Sequence, residues 1–146
     1  MLKQAILILL ISVSITAVCQ NRNNIWCFGD SSLIDFNTQP PSTGASIIRT
    51  RGTACSIADS TGNLLFYCGS PHISLWQSGG VYFVGVIHNN NNEIMENGDT
   101  IATELWYNEM VIVPDPNNSF KYYLFHLEMT TQNQGLYYSI VDLSYN

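Results

Sequence analysis

Along most of this chain apolar and polar positions alternate over short stretches, and each stretch stops at a cluster of Gly, Asp, Asn, Ser or Pro. Alternation puts successive side chains on opposite faces of an extended backbone, and the stops are residues that turn a chain for definite reasons. The pattern predicts strands at Ile25–Phe28, Leu33–Phe36, Ala54–Ala58, Leu64–Cys68, Ile73–Trp76, Val81–Ile87, Met110–Val113, Phe120–Leu127 and Leu136–Leu143. Between them, Thr38–Gly44 with Pro40-Pro41 predicts a loop, because each proline removes a backbone donor. Asn89–Asn92 predicts a solvated break, since asparagine amides compete with backbone pairing. The best helical pattern is Thr103–Met110, and it is too short to convince.

Two of the predicted hairpins resemble each other. Asp59 is followed at +7 and +8 by Phe66 and Tyr67, and Asp115 by Tyr122 and Tyr123; Leu64 and Phe120 share the +5 position. Hairpins recurring at a long offset point to repeated β-blades of about 40–50 residues each. The expected fold is therefore all-β, a partial β-propeller of two to three blades of antiparallel strands. A closed propeller takes at least about four blades. The rest of this one is expected to lie outside the chain.

The N-terminus is set apart. Met1-Leu-Lys3, the apolar run Ala5–Ile15 and the small residues Ala17 and Cys19 form a secretory leader, cut before Gln20. Residues 1–19 are thus expected to be a signal peptide and 20–146 a propeller-like domain, secreted or held at the outer cell surface. Lipidation of Cys19 is the less favoured alternative, because Val18 is bulky where a small residue is wanted. The leader is too short for a stable transmembrane helix, so no membrane span is expected. Without Lys3 the mature part holds four basic against eleven acidic residues, a formal charge of −7. Such a chain lacks the basic footprint that nucleic-acid binding needs.

Candidate chemistry is sparse. Of Cys27, Cys55 and Cys68, the last two flank the Asp59–Asn63 turn at unequal distances, which argues against their facing each other. No metalloprotease, nucleophile-elbow, Cys-x-x-Cys or phosphate-loop motif occurs, and no cofactor is implied. Asp115–Ser119 opens like a calcium loop, but Phe120 stands where the turn glycine belongs, so a hairpin turn is the better expectation. His72, His88 and His126 are more simply core or surface residues than a metal cluster. Glu104 and Glu109 flank Trp106-Tyr107, a grouping also met in carbohydrate clefts. Tyr122-Tyr123 and Tyr137-Tyr138 each put one ring on either face of a strand. Trp106, Tyr107, Tyr123 and Tyr138 are the candidate ligand or partner contacts.

Several segments, in order, carry a resemblance. They are Asn24-Ile-Trp26-Cys-Phe28-Gly29-Asp30 with Ile34-Asp35-Phe36-Asn37, then Ser56–Tyr67, then His88 with Ile94-Met95-Glu-Asn97-Gly98. Val111–Pro116 with Tyr122–Phe125, and Gly135–Leu143, complete the series. Together they resemble the N-terminal propeller-like region of large exported proteins of Bacteroidetes-type bacteria, which carry sorting domains for type IX secretion and are associated with gliding motility or the cell surface. The chain departs from that pattern at Cys68–His72 and in an added Gly79-Gly80 hairpin. The resemblance implies a non-enzymatic exported interaction or structural module, meeting a protein or glycan at the cell surface. The alternative is a fragment of a secreted glycan-acting hydrolase whose catalytic part lies elsewhere. It also implies O-glycosylation, with Asp59-Ser60-Thr61 and Asp99-Thr100-Ile101 as acceptor motifs at Ser60 and Thr100.

Overall fold

A computed structural model of the chain describes residues 21–50, 52–70, 75–77, 80–82, 84–103, 109–128 and 135–145. Within them the protein is all-β, with two short 3-10 turns and no α-helix. The strands are β1 Ile25–Phe28, β2 Ser32–Asp35, β3 Ser42–Ala45, β4 Ala54–Ala58, β5 Leu64–Gly69, β6 Leu75–Gln77, β7 Gly80–Tyr82, β8 Val84–Asn89, β9 Ile101–Ala102, β10 Met110–Pro114, β11 Lys121–Glu128 and β12 Gly135–Asp142. They form three antiparallel meanders, β1-β2-β3, β4-β5-β8-β9 and β10-β11-β12, plus a separate β6-β7 ribbon inserted in the second. The signal-peptide region and Cys19 lie outside the described residues.

The three meanders stack face to face in chain order. One face of the middle sheet, through Tyr67, packs with Ile25 and Cys27 of β1 and with Ile48. Its other face, through Ile57, Phe66, Cys68, Ile87 and Ile101, packs with Met110, Tyr122, Leu124 and Val141 of the third sheet. Phe66 and Tyr122 meet edge to face, ring centroids 5.4 Å apart, an arrangement that suits the aromatic quadrupoles. Gly85 lets the sheets close up, because a Cβ there would come within 2.6 Å of the Met110 methyl. The middle sheet is thus buried on both faces, the third on one, and the first along β1, with β3 exposed at all four positions.

Turn chemistry explains where strands reverse. Asp59 Oδ1 accepts hydrogen bonds from the backbone of Thr61 (2.8 Å) and Asn63 (3.0 Å). Asn89 Oδ1 does the same for Asn91 and Glu93, each at 2.9 Å. The left-handed position of each turn falls to Gly62 (φ 96°) and Asn92 (φ 65°), residue types that tolerate it. The polar break at Asn89–Asn92 is therefore a second copy of the Asp59 turn, with asparagine in both special roles.

Four expectations need correction. Cys55 and Cys68 lie directly opposite each other on β4 and β5, with Sγ atoms 3.0 Å apart. A bulge at Leu65, where the register shifts between Ile57 and Ala58, absorbs the extra residue that seemed to forbid this. Thr38–Gly44 is not all loop, since Ser42–Ala45 adds β3 to the edge of the first sheet, beyond the reach of the prolines. Val81–Ile87 is not one strand: Gly80–Tyr82 pairs with β6, whereas Val84–Asn89 joins the middle sheet.

The repeat also has a different register in space. Asp59 N–H donates to Asn63 O and Asp115 N–H to Lys121 O, so the third sheet's turn is two residues longer. The bulge at Leu65 returns one of them. On the ladder Ile57 pairs with Phe66 and Val113 with Tyr123. Phe66 thus corresponds to Tyr123, one place along from the Tyr122 that aspartate spacing suggests.

Candidate functional site

Two surfaces have the shape or composition to meet a ligand. The first is a cleft of about 690 Å³ at the hairpin end of the stack, lined by Arg22, Asp59, Ser60, Asn89–Asn91, Phe120 and Tyr122. Turns from the middle and third sheets converge there, and Arg22 Nη1 donates to the Tyr122 hydroxyl at 3.2 Å. Asp59 is held ionised far below the usual carboxylate range, first by the Thr61 hydroxyl and further by Asn63. Its oxygens are occupied in shaping the turn. Besides that carboxylate, the walls offer amides, the hydroxyls of Ser60, Ser119 and Tyr122, one guanidinium and the exposed Phe120 ring.

The second is the outer face of the third sheet. Inward side chains Met110, Tyr122, Leu124, His126 and Val141 are buried. The alternate positions of the same strands point the other way, and all are apolar but the rim pair Lys121 and Asp142, which form an ion pair at 3.3 Å. They form cross-strand rows by register: Val113–Tyr123–Ile140, Val111–Phe125–Tyr138 and Leu127–Leu136. Leu136 is 68% exposed, Tyr138 61%, Ile140 56% and Val111 54%. Tyr123, Phe125 and Tyr138 sit in mutual ring contact at 6.1–6.3 Å between centroids. A sheet ordinarily alternates apolar-in with polar-out when one face is solvated. This one is apolar on both.

The sequence-derived candidates divide accordingly. Tyr123 and Tyr138 come together on this face, while Tyr122 and Tyr137 turn inward, Tyr137 stacking on His126 at 5.8 Å. Trp106 and Tyr107 lie outside the described residues, as do Glu104 and His72. Ser60 is exposed at the tip of the Asp59 turn and Thr100 is exposed ahead of β9. His88 belongs to the middle sheet, stacked on Tyr67 at 5.2 Å, and burial lowers its pKa. His126 belongs to the third, its Nδ1 2.6 Å from Ala102 O and its Nε2 3.1 Å from Ser139 Oγ. The two imidazoles serve separate sheets. Among the described residues no group of three or more metal-ligating side chains occurs. No helix among them is long and apolar enough to cross a membrane.

What sequence reasoning missed was the set of partners of Tyr123 and Tyr138. Val111, Val113, Phe125, Leu127, Leu136 and Ile140 fall in predicted strands and are given no role beyond that. The available signal was that β11 and β12 are apolar at both parities, which marks strands covered on two faces. No protein-family model, curated protein or solved structure matches the chain.

Proposed function

We propose that this chain is a non-enzymatic exported interaction module, a propeller-like stack of sheets that meets a protein partner through the outer face of its third sheet. The observation that carries this is the exposed apolar face built by Val111, Val113, Phe125, Leu136, Tyr138 and their neighbours. Contiguous apolar patches of more than a few hundred Å² are uncommon on soluble monomers and mark contact sites. Three supports bear on the propeller-like architecture: each sheet is an up-and-down meander, the sheets follow chain order, and the hairpins share their turn chemistry. The leader and the acidic charge favour export and disfavour nucleic acid.

Labelled protein added to intact cells of the producing strain tests the reading. A Leu136→Glu/Tyr138→Glu variant is expected to lose retention, whereas Phe120→Ala in the cleft keeps it. Loss with Phe120→Ala alone would transfer the role to the cleft and to a glycan, the chemistry that its amides and aromatic ring suit. Release of sugar from cell-surface glycans by the purified chain would favour a hydrolase instead. Ser60 and Thr100 are the acceptor hydroxyls of this exported form. The intact mass of the released protein reads both claims, the N-terminus at Gln20 and the added glycan. A mass equal to the bare polypeptide removes the glycosylation.

A further inference from the structure

The two ends of the stack fit each other. We propose that the partner of the third sheet's outer face is the outer face of the first sheet in a second copy of this chain, so that copies associate head to tail. This rests on the proposal that the third sheet's outer face is a contact surface, and it adds what the contact is with.

The third and middle sheets present equivalent positions. Along the paired ladders, Val111, Val113, Tyr123 and Phe125 of the third sheet stand where Cys55, Ile57, Phe66 and Cys68 stand in the middle sheet. In the middle sheet those positions are covered by the next sheet. The third sheet repeats the arrangement with apolar side chains, larger at three of the four positions, and leaves it open. What fits over it is another sheet presenting an apolar face.

The chain carries such a face at its other end. On β1, Ile25 and Cys27 are buried against the middle sheet, whereas Trp26 and Phe28 point away and are 49% and 37% exposed. Phe36 joins them at 37% exposure, and Trp26 meets Phe28 and Phe36 edge to face at 6.0 and 5.0 Å. The contact is by faces rather than by strand pairing. The free edge of β1 is closed at two points by Ser56, whose Oγ accepts from Cys27 N at 3.2 Å and donates to Ile25 O at 2.7 Å.

Area supports two copies. The third sheet's face exposes on the order of 600 Å² and the first sheet's roughly 300 Å²; each junction is limited by the smaller face, so two head-to-tail junctions would bury about 1,200 Å², the lower end of stable specific interfaces. Third sheet on third sheet would leave the Trp26 cluster in water. Head to tail covers the Trp26 cluster together with the part of the third sheet's face that lies against it. Such a contact closes into a ring when its rotation permits and otherwise propagates.

Sedimentation of the purified chain over a range of concentrations tests this. A dimer or larger closed ring is expected. Leu136→Glu/Tyr138→Glu and, separately, Trp26→Glu should each raise the dissociation constant at least tenfold. An equimolar mixture of the two variants retains one intact junction and should associate more tightly than either variant alone, though less tightly than the wild type. A monomeric wild type overturns the proposal, and so does a dimer indifferent to Trp26→Glu, which would mean third sheet against third sheet. Should a variant fail to fold, hydrogen exchange on the wild type decides. Protection that grows with concentration at both 26–28 and 136–140 supports the contact, and protection at one or neither overturns it. A monomer still retained on cells through Leu136 and Tyr138 would leave the interaction module standing while removing self-association.

Discussion

The middle and third sheets are built alike and end differently. Both are antiparallel meanders opened by an Asx-stabilised hairpin, and both set apolar side chains at matching ladder positions. In the middle sheet Phe66 has no exposed area; its counterpart Tyr123 is half-buried among Phe125 and Tyr138. The difference lies in what each face meets, because the side chains are of one kind. A face becomes core only when another element covers it, and apolar composition alone does not say which element that is.

The comparison breaks most sharply at its aromatic pair. Phe66→Ala removes a fully buried ring and its contact with Tyr122, and should cost about 3–5 kcal/mol in urea unfolding. Tyr123→Ala should cost about 1 kcal/mol or less when the protein is dilute. Equal costs would mean that the third sheet's outer face is already covered within a single chain. Next comes the junction behind Phe66. Gly85→Ala drives a methyl toward Met110 and Thr103, and overpacking of that kind should cost about 1–3 kcal/mol. A neutral Gly85→Ala would show that the two sheets are loosely seated.

The shared turn offers a milder test. Gly62→Ala puts a side chain at φ 96° and against the Asn37 amide, for an expected loss of about 1–2 kcal/mol. That loss should appear as faster exchange of the Asp59–Asn63 amides, with the third sheet unaffected.

The smallest effect concerns pH and the first junction, where burial against the middle sheet pushes the Cys27 thiol from 9.0 up to about 11. A raised pKa means that the folded state holds the proton more tightly. Its stabilisation is complete below pH 9.0 and is lost as pH rises through about 11. Burial raises Tyr67 too, and the Cys55 contact together with burial raises Cys68. The measurement is therefore the difference between wild type and Cys27→Ala in alkaline unfolding. Parallel curves would place Cys27 in water.

Much of the architecture was legible in residue order. Ala54–Ala58 and Ile25–Phe28 are strands with the predicted bounds; β5 and β10 run one residue longer than predicted, and β11 and β12 are each shifted by one residue. Local forces suffice for these: alternation, β-branched and aromatic content, and Asx turns. β3 escaped because Ser42-Thr-Gly-Ala45 has little apolar signal and is a strand only because β2 offers it an edge. The opposition of Cys55 and Cys68 escaped because a bulge cannot be counted from spacing. Of the candidate contacts, Tyr123 and Tyr138 were legible as surface rings, but the six apolar residues around them were not.

The amino-acid order by itself determined that this is a β protein with hairpins at Asp59 and Asp115 and a break at Asn89, since backbone conformation at a turn depends on a few neighbouring residues. Only the tertiary structure decided that Phe66 corresponds to Tyr123 and that Cys55 faces Cys68. It alone decided that one apolar face of β10-β11-β12 is core while the other is surface. The physical reason is that strand periodicity assigns a side chain to one of two faces. Burial of that face is a property of the element that lies against it, which is distant in sequence or belongs to another molecule.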